Sequence, residues 1–260
     1  MKGFMSLFYS APLISGGRGF YLWLSGRCNI KKYIYIFLTI LCCLFSGGSF
    51  AESRNIAGFI SPDNVNLSTQ DFLTFYANNN TQEKENTLMY VLGVADATEG
   101  KTWCGYSRVD STIINQTILS WLEQRATVKP DIRASTLIEE ALVKHFPCTG
   151  TESSVKISSR LSPVLSLNPG ALNLSGNDFL RFWVSGNQQD KLRAGVYLLG
   201  VEDITEKKIW CGYDLFKTLT LNEFIYIFFK NKTHKELNFR AADLIVGKLM
   251  EYPCNAGKNK

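Results

Sequence analysis

Cysteines, carboxylates and histidines are the residues of this 260-residue chain whose spacing could do chemistry. Downstream of residue 51 stand four cysteines, Cys104, Cys148, Cys211 and Cys254. They lie far apart and share no recurring histidine, so they do not form a metal-ligand cluster, and no metal or other cofactor is expected. Asp96 and Glu99 are three residues apart, as are Asp203 and Glu206. On a helix this spacing puts two carboxylates on one face, where they could serve as general acid and base. The same side chains could instead hydrogen-bond a loop or meet Arg133 or Arg240. Catalysis would also need a pocket and partner groups, so the structural role is the expected one. His145 and His234 do not correspond to each other, and neither accompanies a nucleophile in a repeated pattern. Gly-rich phosphate loops are absent. The inventory excludes the common hydrolase arrangements and points to a non-enzymatic protein.

These residues recur. The segment YVLGVADATEGKTWCGY at 90–106 returns as YLLGVEDITEKKIWCGY at 197–213, an offset of 107 residues. Asp71-Phe72-Leu73 returns as Asp178-Phe179-Leu180, and Arg133-Ala134 as Arg240-Ala241, at the same offset. Phe146-Pro147-Cys148 returns as Tyr252-Pro253-Cys254, one residue out of step. Two copies are too few for a solenoid, so the chain reads as a duplicated domain. Four cysteines allow three connectivities. Duplication selects the one with the same bond in each copy, Cys104–Cys148 and Cys211–Cys254. The domains are then 52–148 and 163–254, joined by a serine-rich linker at 149–162 and followed by a tail at 255–260.

The elements that must position these residues read as helices. Ser68-x-x-Asp71 and Ser175-x-x-Asp178 are N-terminal capping patterns. A second helix at about 83–98 carries Leu88, Val91, Leu92 and Ala95 at amphipathic spacing, and its counterpart spans about 190–205. A third carries Ile114, Ile118, Trp121 and Leu122; in the second copy it is expected to start at a capping box, Thr220-x-x-Glu223. The fourth carries Leu137, Ile138, Ala141 and Leu142, or Ala241, Leu244, Ile245 and Leu249, and proline ends it. The stretch 224–229 is rich in aromatics and isoleucine and therefore β-prone, but the box before it favours helix. The expected fold is all-α, two tandem four-helix domains, each with one internal disulfide. Gly93 and Gly200 lie inside the second helices, where glycine costs about 1 kcal/mol against alanine. Their recurrence implies a close helix crossing. Trp103 and Trp210 adjoin a cysteine and are expected to pack over the disulfide.

Residues 1–51 contain five of the 28 basic residues, none of the 23 acidic ones and three of the seven cysteines. The remainder balances at 23 and 23, so the formal charge of +5 belongs to the leader. A balanced body lacks the basic surplus that nucleic acid or an anionic membrane would select. Within the leader, Lys31-Lys32 precedes the apolar run YIYIFLTILCCLF, and Ser49-x-Ala51 follows. Positive end, short apolar core and small-residue exit make a secretory signal. The run is shorter than the roughly 20 residues of a spanning helix, so no stable anchor is expected after cleavage. A retained N-terminal anchor is the alternative. Export to an oxidising periplasm agrees with the disulfides. The first copy, from residue 52 to 150, has 12 acidic and 8 basic residues; the second, from 151, has 11 and 15. These opposite net charges favour docking of the copies as a pseudo-dimer within one chain.

Each copy resembles the Tai/Rap family of amidase-immunity proteins of type VI secretion systems. The resemblance rests on Tyr90-x-x-Gly93-x-x-Asp96 with Trp103-Cys104, then Ala134-x-x-Leu137-Ile138 and Phe146-Pro147-Cys148. In the second copy it rests on Tyr197-x-x-Gly200-x-x-Asp203 with Trp210-Cys211, Leu244-Ile245 and Tyr252-Pro253-Cys254. It implies an all-helical periplasmic domain that binds and blocks a secreted cell-wall amidase effector. Two copies in one chain depart from the single domains that pair in that family. A helical structural or chaperone-like module with no toxin partner is the alternative. The candidate contacts are loop residues after the first cysteine, Tyr106, Arg108 and Tyr213, because Tyr and Arg are frequent binding anchors. The segments 125–131 and 231–236 are further candidates. Against Tyr106 and Tyr213 stands the simpler role of turning the chain and packing a ring near the disulfide.

Cleavage after Ala51 is expected on export. N-terminal sequencing of periplasmic protein should begin at Glu52, and intact protein confined to the membrane would contradict it.

Overall fold

Ser68 opens the first helix as its spacing to Asp71 predicts. In the computed structural model, which describes residues 58–148 and 164–254, the Ser68 hydroxyl accepts from the Asp71 N–H at 3.1 Å and donates to its carboxylate at 2.7 Å. Ser175 and Asp178 repeat the pair at 3.1 and 2.8 Å. The helices of the first copy are α1 (Thr69–Tyr76), α2 (Thr81–Thr98), α3 (Ser111–Ala126) and α4 (Ala134–His145). Those of the second are α5 (Gly176–Trp183), α6 (Gln188–Thr205), α7 (Thr218–Lys230) and α8 (Ala241–Leu249), with a 3-10 turn at Glu236–Asn238. The described residues contain isolated bridges but no strand. The β-prone stretch 224–229 is helical. Disulfides join Cys104 to Cys148 and Cys211 to Cys254, one in each half. The expected leader, linker and tail lie outside the described residues.

The expected start of α7 is not observed. Thr220-x-x-Glu223 lies inside the helix, which begins at Thr218 after Lys217 with no side-chain cap. In the first copy the matching position is Asp110, whose carboxylate accepts from the Thr112 N–H at 2.7 Å. That bond holds the acid below the usual carboxylate range. A lysine has no acceptor, so the second copy loses the cap while keeping the helix start.

The long helices also depart from the amphipathic pattern. From Asn86 to Thr98, α2 is buried on every side except at Leu88, and α6 is buried throughout from Ala194 to Thr205. A helix buried all round must be covered from both sides. Here α1, α4 and α8 pack on α2, and α4, α5 and α8 on α6, while α2 and α6 cover each other as the most extensive helix pair. Each long helix also touches the last helix of the other half. One continuous apolar cluster therefore runs through both copies, and the described residues belong to a single compact unit.

Glycine makes the crossing possible. A Cβ on Gly93 would stand 2.1 Å from the Tyr197 carbonyl oxygen, and one on Gly200 would stand 2.3 Å from that of Tyr90. The obstructing atoms are backbone, so only a shift of the whole helix could relieve the clash. Trp103 and Trp210 are fully buried, and each indole N–H donates at 3.0 Å to a threonine on its own long helix, Thr98 or Thr205.

Gly93→Ala and Gly200→Ala should each destabilise by at least the roughly 1–3 kcal/mol typical of overpacking. Alanine's better helix propensity opposes this by only about 1 kcal/mol. Chemical denaturation should show a lower midpoint for both variants; an unchanged or higher midpoint would mean the crossing is looser than described.

Candidate functional site

Asp96 lies near the C-terminal end of α2, where the helix dipole disfavours an acid. It is fully buried. Its carboxylate reaches across to the second copy and accepts from the backbone N–H groups of Asn173 and Leu174, both at 3.0 Å. Tyr197 of the second copy donates at 2.9 Å and Tyr106 of its own copy at 2.7 Å. Asp203 mirrors this arrangement. It accepts from Asn66 and Leu67 N–H at 3.0 and 3.1 Å, and from Tyr90 and Tyr213 hydroxyls, both at 2.8 Å. Burial pushes both aspartates up from their ordinary pKa, and the arginine charges and these donors pull them back. All four tyrosines are raised well above the usual phenol value, first by burial and then by the nearby carboxylate.

Arginines close each junction. Arg240 donates to the carbonyl oxygens of Asp96 at 3.0 Å and Glu99 at 3.1 Å, to the Glu99 carboxylate at 2.7 Å, and to the Asn173 side chain. Arg133 bonds the Asp203 carbonyl at 2.8 Å, Glu206 at 3.0 Å and the Asn66 side chain. The expected contacts between the shared carboxylates and shared arginines thus form, but each crosses from one copy to the other. Asn66 and Asn173 adopt left-handed backbone, each with φ 57°, a conformation asparagine tolerates better than most residues. Sequence reasoning gave them no role, although Asn-Leu-Ser recurs at 66–68 and 173–175.

Further ion pairs across the junction run in both directions. Glu139 meets Lys208 and Glu85 meets Arg193, whereas Lys101 of the first copy meets Asp243 of the second at 2.8 Å. The cross-junction ion pairs thus do not follow net charge alone. Reciprocal side-chain-to-backbone capping and shared apolar burial hold the copies together as well.

The candidate contact residues separate by environment. Tyr106 and Tyr213 are half-buried, their hydroxyls point inward to Asp96 and Asp203, and their rings meet Trp103 and Trp210 edge-on. They belong to the junction, the simpler packing role that stood beside partner contact in the sequence. Arg108 is exposed at its residue surface while its guanidinium bonds the Cys104 carbonyl beside the disulfide. Its counterpart is Leu215, 75% exposed, so this surface differs between the halves. Among the described residues no group of His, Cys, Asp and Glu is placed to hold a metal.

Glu202, beside Asp203, went unnoticed in the sequence. It is 1% exposed, and its Oε1 has no hydrogen-bond partner among the described residues. Burial, and secondarily the charge of Asp203, raises its pKa well above the ordinary glutamate value. The first copy has Ala95 at this place.

Fold and site together define a class: an all-helical protein made of two fused, pseudo-symmetric halves. The family model of Rap1a immunity proteins matches residues 68–148, from the capping serine of α1 to the second cysteine. No curated protein matches the chain.

Neighbouring residues should respond oppositely to substitution. Asp203→Ala strips four donors of their acceptor and should cost about 3–5 kcal/mol. Glu202→Met removes an unpartnered buried acid and should stabilise by about 1–3 kcal/mol at pH 7. The folded-state pKa of Glu202 is raised, so its penalty is absent below the unfolded value of about 4.3 and grows as pH rises toward the folded one. Melting curves should therefore show the gain from Glu202→Met shrinking as pH falls toward 4; a gain independent of pH would assign it to packing alone.

Proposed function

We propose that this protein is a periplasmic immunity protein that binds and occludes a peptidoglycan-cleaving amidase delivered by a type VI secretion system. The observation that carries the reading is the Rap1a immunity family match over the whole first helical unit, joined to a second unit of the same design. A rigid, fully helical scaffold that presents loops at its surface suits a protein whose task is to cover a cleft rather than to react. The segment 127–133 between α3 and α4 is such a loop, and Val128 within it is 73% exposed. An exposed apolar residue on a loop suits insertion into a cleft. Export fits a target that acts on the cell wall, and the two disulfides fit an oxidising compartment.

Periplasmic expression of a candidate amidase effector from a neighbouring gene should lyse cells that lack this protein and spare cells that carry it. Val128→Asp should reduce protection with little change in melting temperature, since the side chain is exposed. If the wild type neither binds nor protects against any neighbouring cell-wall effector, the immunity reading fails and a helical structural module takes its place.

A further inference from the structure

Duplication provides an internal control for surface features. A groove of about 500 Å³ between α3 and α4 is lined by Gln116, Ser120, Trp121, Gln124, Lys144 and His145. A related groove of about 340 Å³ between α7 and α8 is lined by Phe224, Ile227, Phe228, Asn231, Lys232 and Lys248. Trp121 and Phe228 correspond at the repeat offset, as do Arg125 and Lys232. In both grooves one aromatic ring holds two cations. Lys144 lies 4.2 Å and Arg125 4.5 Å from the Trp121 ring, and Lys232 and Lys248 lie 5.0 and 5.9 Å from that of Phe228.

The grooves differ in how those cations are neutralised. In the second, Lys232 pairs with Glu236 and Lys248 with Glu251. In the first, Arg125 reaches Glu140 at 3.3 Å between half-exposed side chains, and Lys144 has no ion pair among the described residues. His145 stands edge-on to the same indole at 5.6 Å. Trp121 itself is 7% exposed, and its indole N–H has no hydrogen-bond partner among the described residues. The first groove is thus a polar cleft with an ammonium held against an aromatic face and left without a counter-charge. The second is more apolar and internally neutralised.

We propose that the α3–α4 groove binds a carboxylate-bearing segment, Glu or Asp, of a protein partner. Lys144 is the carboxylate anchor, Trp121 holds the ammonium in place, and Gln116, Ser120 and Gln124 offer hydrogen bonds to the peptide backbone. Charge selects this occupant. The groove is locally positive within a copy whose acidic residues outnumber its basic ones by 12 to 8, so a polyanion such as nucleic acid is repelled by the surroundings while a single carboxylate is not. The proposal rests on the reading of the protein as a binding module and adds a second contact surface to the α3–α4 loop.

The test uses the mature full chain and a twelve-residue peptide with one central glutamate in an otherwise uncharged sequence, followed through the Trp121 indole resonance. That resonance should shift on titration, and the same peptide with glutamine for glutamate should leave it in place. Lys144→Gln should weaken binding about tenfold, as for loss of a hydrogen bond to a charged group, while Lys248→Gln in the second groove should not. Unchanged Trp103, Trp183 and Trp210 resonances confirm that each variant is folded. No shift at about 1 mM peptide, an equal shift with the glutamine peptide, or full binding by Lys144→Gln would each overturn the proposal. The assay needs no effector, so the groove can fail while protection stands, and protection can fail while the groove still takes the peptide.

Discussion

A buried carboxylate that caps another segment's backbone N–H groups is the interaction on which this protein depends. Asp96 and Asp203 are each desolvated, which is costly for a charged group, and each is repaid by four donors. Two of those donors are backbone groups in the turn that leads into a helix of the other copy. That turn needs left-handed asparagines, Asn66 and Asn173, and an arginine from the last helix locks each asparagine in place. Without the opposite copy the aspartates lose three of four donors. The turns lose their caps, and the buried inner faces of α2 and α6 meet water. The halves complete one another, and the glycine crossing lets the tyrosine hydroxyls come close enough to take part.

Covalent fusion changes what such an interface permits. Two identical chains would have to carry the same outer surface, whereas two copies in one chain can differ. The junction keeps its residues in pairs: Gly93 and Gly200, Asp96 and Asp203, Arg133 and Arg240, Asn66 and Asn173. Away from it the pairs diverge. Asp110 becomes Lys217 and a helix cap is lost. Arg108 becomes Leu215 on an exposed turn. Both groove cations are paired with carboxylates in one half, whereas in the other Lys144 has no ion pair among the described residues. Divergence at the surface with constancy at the paired junction residues suits a single-use binding face on a paired scaffold, and so the immunity reading, better than a symmetric structural module.

Much of this was legible in the sequence. Rare residues recurring at one offset determined the duplication, the pairing of cysteines and the helical boundaries at Ser68 and Ser175, because caps and disulfides are set by local spacing and by repetition. Recurring glycines announced a close crossing. What the sequence could not decide was which copy each shared residue serves. A carboxylate three residues from another, or a Gly-Tyr pair after a cysteine, reads the same whether its partner is near in the chain or a hundred residues away. Periodicity also misled at α2: burial on both sides erases the amphipathic stripe, and only the tertiary arrangement says that a second copy covers the far face. The groove at Trp121 and the stranded Glu202 have no linear signature at all. They arise from which side chains are brought together, and which are left without a counter-charge or a hydrogen bond, once the two copies fold around each other.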